Sequence, residues 1–135
     1  MQLESSGRAG GLGLHDAVMT AFGLTADGTF HLDLQTVDGQ RRQLLLRGVT
    51  KIGLRDFISG LIVSDVFCWS LSSAEHASQD AWRVLLGGNC LERDLSPTID
   101  RFIREYPSCS LILLESSYGG TAAAICRSVS VEHLP

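Results

Sequence analysis

The chain has 135 residues, enough to bury one core and too few for two, and its 44% hydrophobic against 19% charged residues exclude an intrinsically disordered chain. A net charge of −4 disfavours non-specific binding to nucleic acid or to an anionic membrane. No apolar run approaches the roughly 20 residues of a membrane-spanning helix, and the N-terminus lacks the basic-then-apolar order of a secretory signal, so a soluble, cytoplasmic protein is expected.

Residues 1–13 carry Gly7, Gly10, Gly11 and Gly13 among small and polar neighbours. They read as a flexible leader outside the fold, with a single domain from residue 14 to 135. The pattern then turns to period two. In T-F-H-L-D-L-Q-T, Phe30, Leu32 and Leu34 fall on one face and His31, Asp33 and Gln35 on the other, as a half-buried strand requires. Asp27-Gly28 and Asp38-Gly39 bracket this strand and predict tight type I′ turns. With H-D-A-V-M-T-A-F-G-L before and R-R-Q-L-L-L-R-G-V-T-K-I after, the expectation is a three-stranded meander. Its third strand places Leu44, Leu46 and Ile52 on one face across Gly48, with Arg41, Gln43, Arg47 and Lys51 opposite.

The segment G-L-R-D-F-I-S-G reads as a connection, and L-I-V-S-D-V-F-C-W-S-L, rich in β-branched and aromatic residues, as a fourth strand. Helical spacing follows. A-E-H-A-S-Q-D-A-W-R-V-L-L sets Ala77, Ala81, Val84 and Leu85 on one stripe, and Gly87-Gly88-Asn89 ends it. A second helix is expected from Ser96 as N-cap and Pro97 at the first helical position. Ile99, Phe102, Ile103 and Tyr106 form its apolar stripe, and Pro107 stops it. C-S-L-I-L-L-E-S is apolar on both faces and reads as a central strand, and T-A-A-A-I-C-R-S-V-S-V-E-H as a last alternating one. The fold class is therefore α+β: a mainly antiparallel sheet of about six strands, with the helices packed on one face.

Chemistry is sparse. E-S-S-Y-G-G at 115–120 lacks the first glycine of a nucleophile elbow and the lysine of a phosphate loop, and reads as a bend between strands. Asp16 and Asp65 share strand parity with apolar neighbours, where an unpaired carboxylate costs several kcal/mol. Facing one cleft, with His15 beside them, they would form an acid/base pair; a β-bulge that flips parity removes the anomaly. The four histidines, 15, 31, 76 and 133, and the cysteines, 68, 90, 109 and 126, show no metal-ligand spacing, so no metal and no cofactor are expected and the thiols read as buried and free. Arg41, Arg42, Arg47, Lys51 and Arg55 crowd into fifteen residues without interleaved aromatics. A solvated sheet face, or an edge strand protected by charge, is the plain reading; as a binding surface the patch suits an acidic partner better than nucleic acid. Trp69 reads as core; Trp82 is a contact candidate if it leaves the helix stripe.

These elements point first to a non-catalytic protein-interaction domain, meeting a protein partner or its own copy. An accessory or neutralising protein, immunity-like in its action on a partner, is one form of that reading. A small ligand-binding or hydrolytic domain using Asp16 and Asp65 between sheet and helices is the alternative.

Overall fold

The computed structural model describes residues 7–58, 60–72, 79–87 and 95–135, and the backbone of 2–3. Among the described residues, ten strands and two helices follow one another: β1 (Gln2–Leu3), β2 (Ala9–Gly10), β3 (Val18–Leu24), β4 (Phe30–Gln35), β5 (Arg41–Arg47), β6 (Lys51–Arg55), β7 (Val63–Ser70), α1 (Gln79–Leu86), α2 (Ser96–Glu105), β8 (Ser110–Ser116), β9 (Thr121–Cys126) and β10 (Ser128–His133). They make two antiparallel four-stranded sheets, in the orders β10-β5-β4-β3 and β6-β9-β8-β7, and a small β1-β2 ribbon. The α+β class stands; the expected single sheet is two.

The meander β3-β4-β5 forms in register, Leu32 facing Phe22 on one side and Leu44 on the other. Its turns differ from type I′, which needs positive φ at two positions. Here only the glycines are positive, Gly28 at 82° and Gly39 at 85°. Each closes a longer loop, bonding back to Thr25 O at 3.1 Å and Thr36 O at 2.9 Å. The hydroxyls of Thr25 and Thr36 donate to Asp27 and Asp38, which holds both aspartates in place and lowers their pKa.

The expected third strand is two strands in different sheets, and so is the expected last one. β5 runs through Gly48 (φ +66°) into β6, and β9 runs through Arg127 into β10. The ladder between the two segments continues through this corner. Ser128 pairs Arg47, Arg127 N–H donates to Arg47 O at 2.8 Å, Thr50 N–H donates to Ile125 O at 2.9 Å, and Lys51 pairs Ile125. A side chain at position 48 would lie 2.8 Å from Arg127 Cγ, so a glycine suits the bend both in φ and in space.

A second corner joins β3 to the start of β7. Met19 N–H donates to Leu61 O at 2.8 Å, Gly60 N–H to Met19 O at 2.7 Å, and Val63 N–H to Ala17 O at 2.9 Å. Counted through both corners, six chain segments close a sharply bent barrel: β3, β4, β5–β6, β10–β9, β8, β7 and back to β3. The interior takes the alternate residues of every wall, among them Met19, Leu32, Leu44, Val63, Ile112 and Ala124. Closure leaves these side chains no water to meet, and each fully buried aliphatic contributes about 2 kcal/mol.

A second apolar layer lies outside β6-β9-β8, under α1. There Leu111, Leu113, Ala123 and Ile125 meet Ala81, Val84, Leu85 and the wholly buried Trp82. This is why β8 is apolar on both faces. Gly87 (φ +88°) ends α1, its N–H reaching Arg83 O at 3.0 Å; Ala77, Gly88 and Asn89 lie outside the described residues. α2 starts one residue before the expected point. Leu95, buried against the helices, takes the N-cap position with its carbonyl accepting from Ile99 N–H at 2.9 Å, and Ser96 is already helical.

Residues 7–14 lie against the barrel. Gly7 is buried beneath Trp69, its carbonyl accepting from Cys68 N–H at 2.7 Å, and Leu14 joins the interior.

Gly53 sets the distance between α1 and the sheet: an added Cβ would stand 2.1 Å from Val84 O and 2.9 Å from Leu85 Cα. These are backbone atoms of the helix, so Gly53→Ala must lift α1 as a body. The substitution is expected to destabilise the fold by about 2 kcal/mol, measured as a lower urea midpoint at equilibrium. An unchanged midpoint contradicts the close approach.

A polar groove and an apolar end

A β-bulge decides where Asp65 points, and a left-handed turn before β3 where Asp16 does. The register slips between Met19 and Ala21 in β3 and between Val63 and Asp65 in β7. After the second slip Asp65 pairs with Glu115, on the face carrying Phe67 and Trp69, while Val63 stays in the barrel interior. Asp65 is only part-buried, and the Arg8 guanidinium holds it at 2.8 Å. Asp16 is exposed, in left-handed backbone at φ 64°, with His15 Nδ1 3.2 Å from its carboxylate.

A groove of about 360 Å³ runs between residues 8–15 and 63–66. His15, Arg8, Ser64 and Asp65 line it; Asp16 is not in its wall. The hydroxyl in the groove, Ser64, donates to the carbonyl of Glu115 at 3.1 Å. The polar groups here are thus an ion pair, an imidazole and a satisfied hydroxyl, a set that can hold a small polar molecule. Beside it, burial pushes the Glu115 carboxyl pKa up, and the nearby charges of Asp65 and Asp80 add to the effect.

The basic residues do not form one patch. Gly48 sends Lys51 and Arg55 into the other sheet, away from Arg41, Arg42 and Arg47. Arg47 donates to Ser130 Oγ at 2.7 Å and Glu132 Oε1 at 2.9 Å, Arg41 to Pro135 O at 3.2 Å and Arg42 to Gln40 Oε1 at 2.6 Å. Trp82, a contact candidate in the sequence, is instead core, with its ring 6.2 Å from Phe102. On the outer face of the first sheet, His31 Nδ1 lies 3.3 Å from Asp33 Oδ1, which also accepts from Gln43 Nε2 at 2.8 Å. Nothing in the strand pattern distinguishes this row from any solvated strand face.

Cys68, Cys109 and Cys126 are buried and free; Cys90 and His76 lie outside the described residues. Burial raises the Cys68 thiol, and burial with the neighbouring Cys68 and Cys109 pushes Cys126 up to about 12. Among the described residues, no three metal-ligating side chains come together, and no helix is long and apolar enough to cross a membrane.

The 115–120 segment is a hairpin bend between β8 and β9, with Gly119 at φ 83° and Ser116 N–H bonded to Gly120 O at 3.0 Å. It is also a docked bend. Ser117 N–H donates to Ile62 O at 3.0 Å, and a side chain at Gly120 would strike Leu61 Cδ1 at 2.4 Å and Asp56 O at 2.8 Å.

Around this contact lies the feature that sequence reading missed. Among the described residues seven large apolar side chains are exposed, and all but Val37 lie on β3, on 54–58 or on this hairpin tip: Val18, Phe22, Leu24, Leu54, Ile58 and Tyr118. Phe22 stacks edge-on against Phe57 with ring centroids 4.8 Å apart, and Val18 bridges Ile62. Phe22 thus meets the 54–58 segment through Phe57, and Val18 meets the hairpin's neighbour Ile62. Ile58 is 65% exposed and Tyr118 74%. Single exposed apolar residues mean little, whereas exposed apolar residues on segments that touch one another are what a contact surface is built from. Its signal in the sequence was F-I inside a segment otherwise read as a connection.

Compared with models of protein families, with curated proteins and with solved structures, the chain matches none.

Two outcomes follow from these environments. The folded chain keeps the Glu115 proton to a higher pH than the unfolded chain, whose carboxyl titrates near 4.5. The favourable contribution of the protonated form is therefore complete below that pH and is lost as pH rises through the folded value. Glu115→Gln is expected to raise Tm at pH 7, and the gap to close on acidification; a gap that does not change with pH contradicts this. In the native protein, a thiol reagent is expected to modify Cys68, Cys109 and Cys126 far more slowly than after unfolding, with sites assigned by peptide mass spectrometry.

Proposed function

We propose that this chain is a small, non-catalytic protein-interaction domain that works in the cytoplasm and receives a protein partner on the apolar end of its barrel. One observation carries the reading: Phe22, Leu24, Leu54, Ile58 and Tyr118 are exposed on three segments that meet through Gly60 N–H to Met19 O, Ser117 N–H to Ile62 O and the Phe22–Phe57 ring contact. A preformed, water-facing apolar surface gains free energy when a partner covers it, and a rigid one loses little entropy in doing so. An accessory or neutralising role, in which the domain acts by covering part of its partner, fits this surface. The buried free thiols support a reducing compartment. Division of the basic residues between two sheets weighs against nucleic acid.

The test is capture that depends on the surface. Extract from the source cells is passed over the immobilised domain, over Ile58→Asp with Tyr118→Asp, and over Val37→Asp, which changes an exposed residue far along the chain at the β4–β5 turn. Expected is a bound protein lost with the double variant and kept with Val37→Asp. Equal recovery on all three overturns the reading.

The groove beside Arg8, His15 and Asp65 favours a second reading, a binding site for a small polar ligand with Asp16 at its margin. A thermal-shift screen of metabolites separates the two: a stabilising compound whose effect is lost in Arg8→Ala supports the groove.

A further inference from the structure

Sheet edges are templates for pairing, and a protein that stays alone covers or charges them. Three of the edges follow that rule. The outer side of β7 is covered where Gly7 accepts from Cys68 N–H and Arg8 bridges Phe67. β6 carries Lys51 and Arg55 at its ends, and β10 carries Glu132 and His133. The fourth edge is β3, V-M-T-A-F-G-L, with no charge and no proline. Its first residues are paired at the corner with 60–63, but the bulge at Thr20 ends that pairing. Among the described residues, no backbone hydrogen bond joins Ala21–Leu24 to anything beyond β4.

We infer that a second copy of this chain covers that edge, β3 against β3, antiparallel about a two-fold axis. The inference rests on the interaction-domain reading and names its partner. Three features favour a like copy. An antiparallel strand pair about a two-fold is self-complementary, each residue meeting its counterpart twice. The uncharged strand brings no like charges face to face at the contact, so the repulsion left between two molecules of net charge −4 is the weaker, salt-screened one of the whole surface. Arg55 and Asp56, exposed neighbours of opposite sign, precede the Phe57 that packs on Phe22 of this edge, so each copy would offer both halves of a reciprocal ion pair. Pairing would join two four-stranded sheets into one of eight, and would lay Phe22 and Leu24 of each copy against the other.

The experiment is light scattering coupled to size-exclusion chromatography over a range of concentrations. The unaltered chain is expected to approach twice the monomer mass as concentration rises. Ala21→Lys with Leu24→Lys places repelling charges at two exposed edge positions and is expected to give the monomer, while Val37→Lys keeps the dimer. A monomer mass for the unaltered chain at every concentration, or a dimer that survives the lysine pair, overturns the inference. Amide hydrogen exchange on the unaltered chain removes any dependence on how the variants fold. Residues 21–24 should exchange more slowly as the protein is concentrated, and exchange independent of concentration again overturns it. A strict monomer that still captures another protein through the apolar end discards this inference and leaves the interaction-domain reading standing; a strict monomer without capture discards both.

Discussion

The two-stranded ladder between residues 41–55 and 121–133 holds the architecture together, because it turns a corner without breaking. Each segment belongs to one sheet before the bend and to the other after it, so hydrogen bonding passes from sheet to sheet through covalent chain. Without that corner the two sheets would each show a raw edge there, and the interior apolar residues would be closed off on one side only. Gly48 makes it possible: it supplies the left-handed φ at the bend and leaves room for the Arg127 side chain that lies over it. The corner between β3 and β7 completes the ring, and the helices then need only to roof one wall.

This layout explains why the molecule offers so little internal chemistry. The barrel interior is filled with aliphatic side chains and the second layer with aliphatic and aromatic ones, and no polar or charged residue among those described is buried. Polar side chains are left to the rims and outer faces, where ion pairs such as Arg8–Asp65 and Arg47–Glu132 are part-exposed and contribute little to stability. What distinguishes one end of the molecule from the other is its apolar exposure.

Much of the fold was legible in the sequence, and what was hidden shares one cause. Period-two runs located β3, β4 and β5, a run apolar on both faces located β8, Asp-Gly pairs located the loops, and the stripe through Phe102 located α2, because each signal is local. Corners and bulges are single-residue events. Gly48 looks like any weakening glycine within a strand, and C-R-S at 126–128 carries no turn signal. Ser64 and Thr20 do not announce that the register slips there. Yet one slip parted Asp65 from Leu61 and Val63 and left it on the outer face with Phe67 and Trp69, and one corner split the basic cluster between two sheets. The exposed apolar residues were illegible for a related reason: they come from three separated segments, which approach one another only through the corner between β3 and 60–63. Trp82 illustrates the reverse error, since the width of a buried helix face cannot be judged before the layer above the sheet is known.

Closure also has a consequence for how the molecule is built in time. Strand β5 must wait for a partner far along the chain; the Arg47–Ser130 contact spans 83 residues. Bringing such distant segments together loses loop entropy before the contacts compensate, which slows folding relative to a helical bundle of similar size.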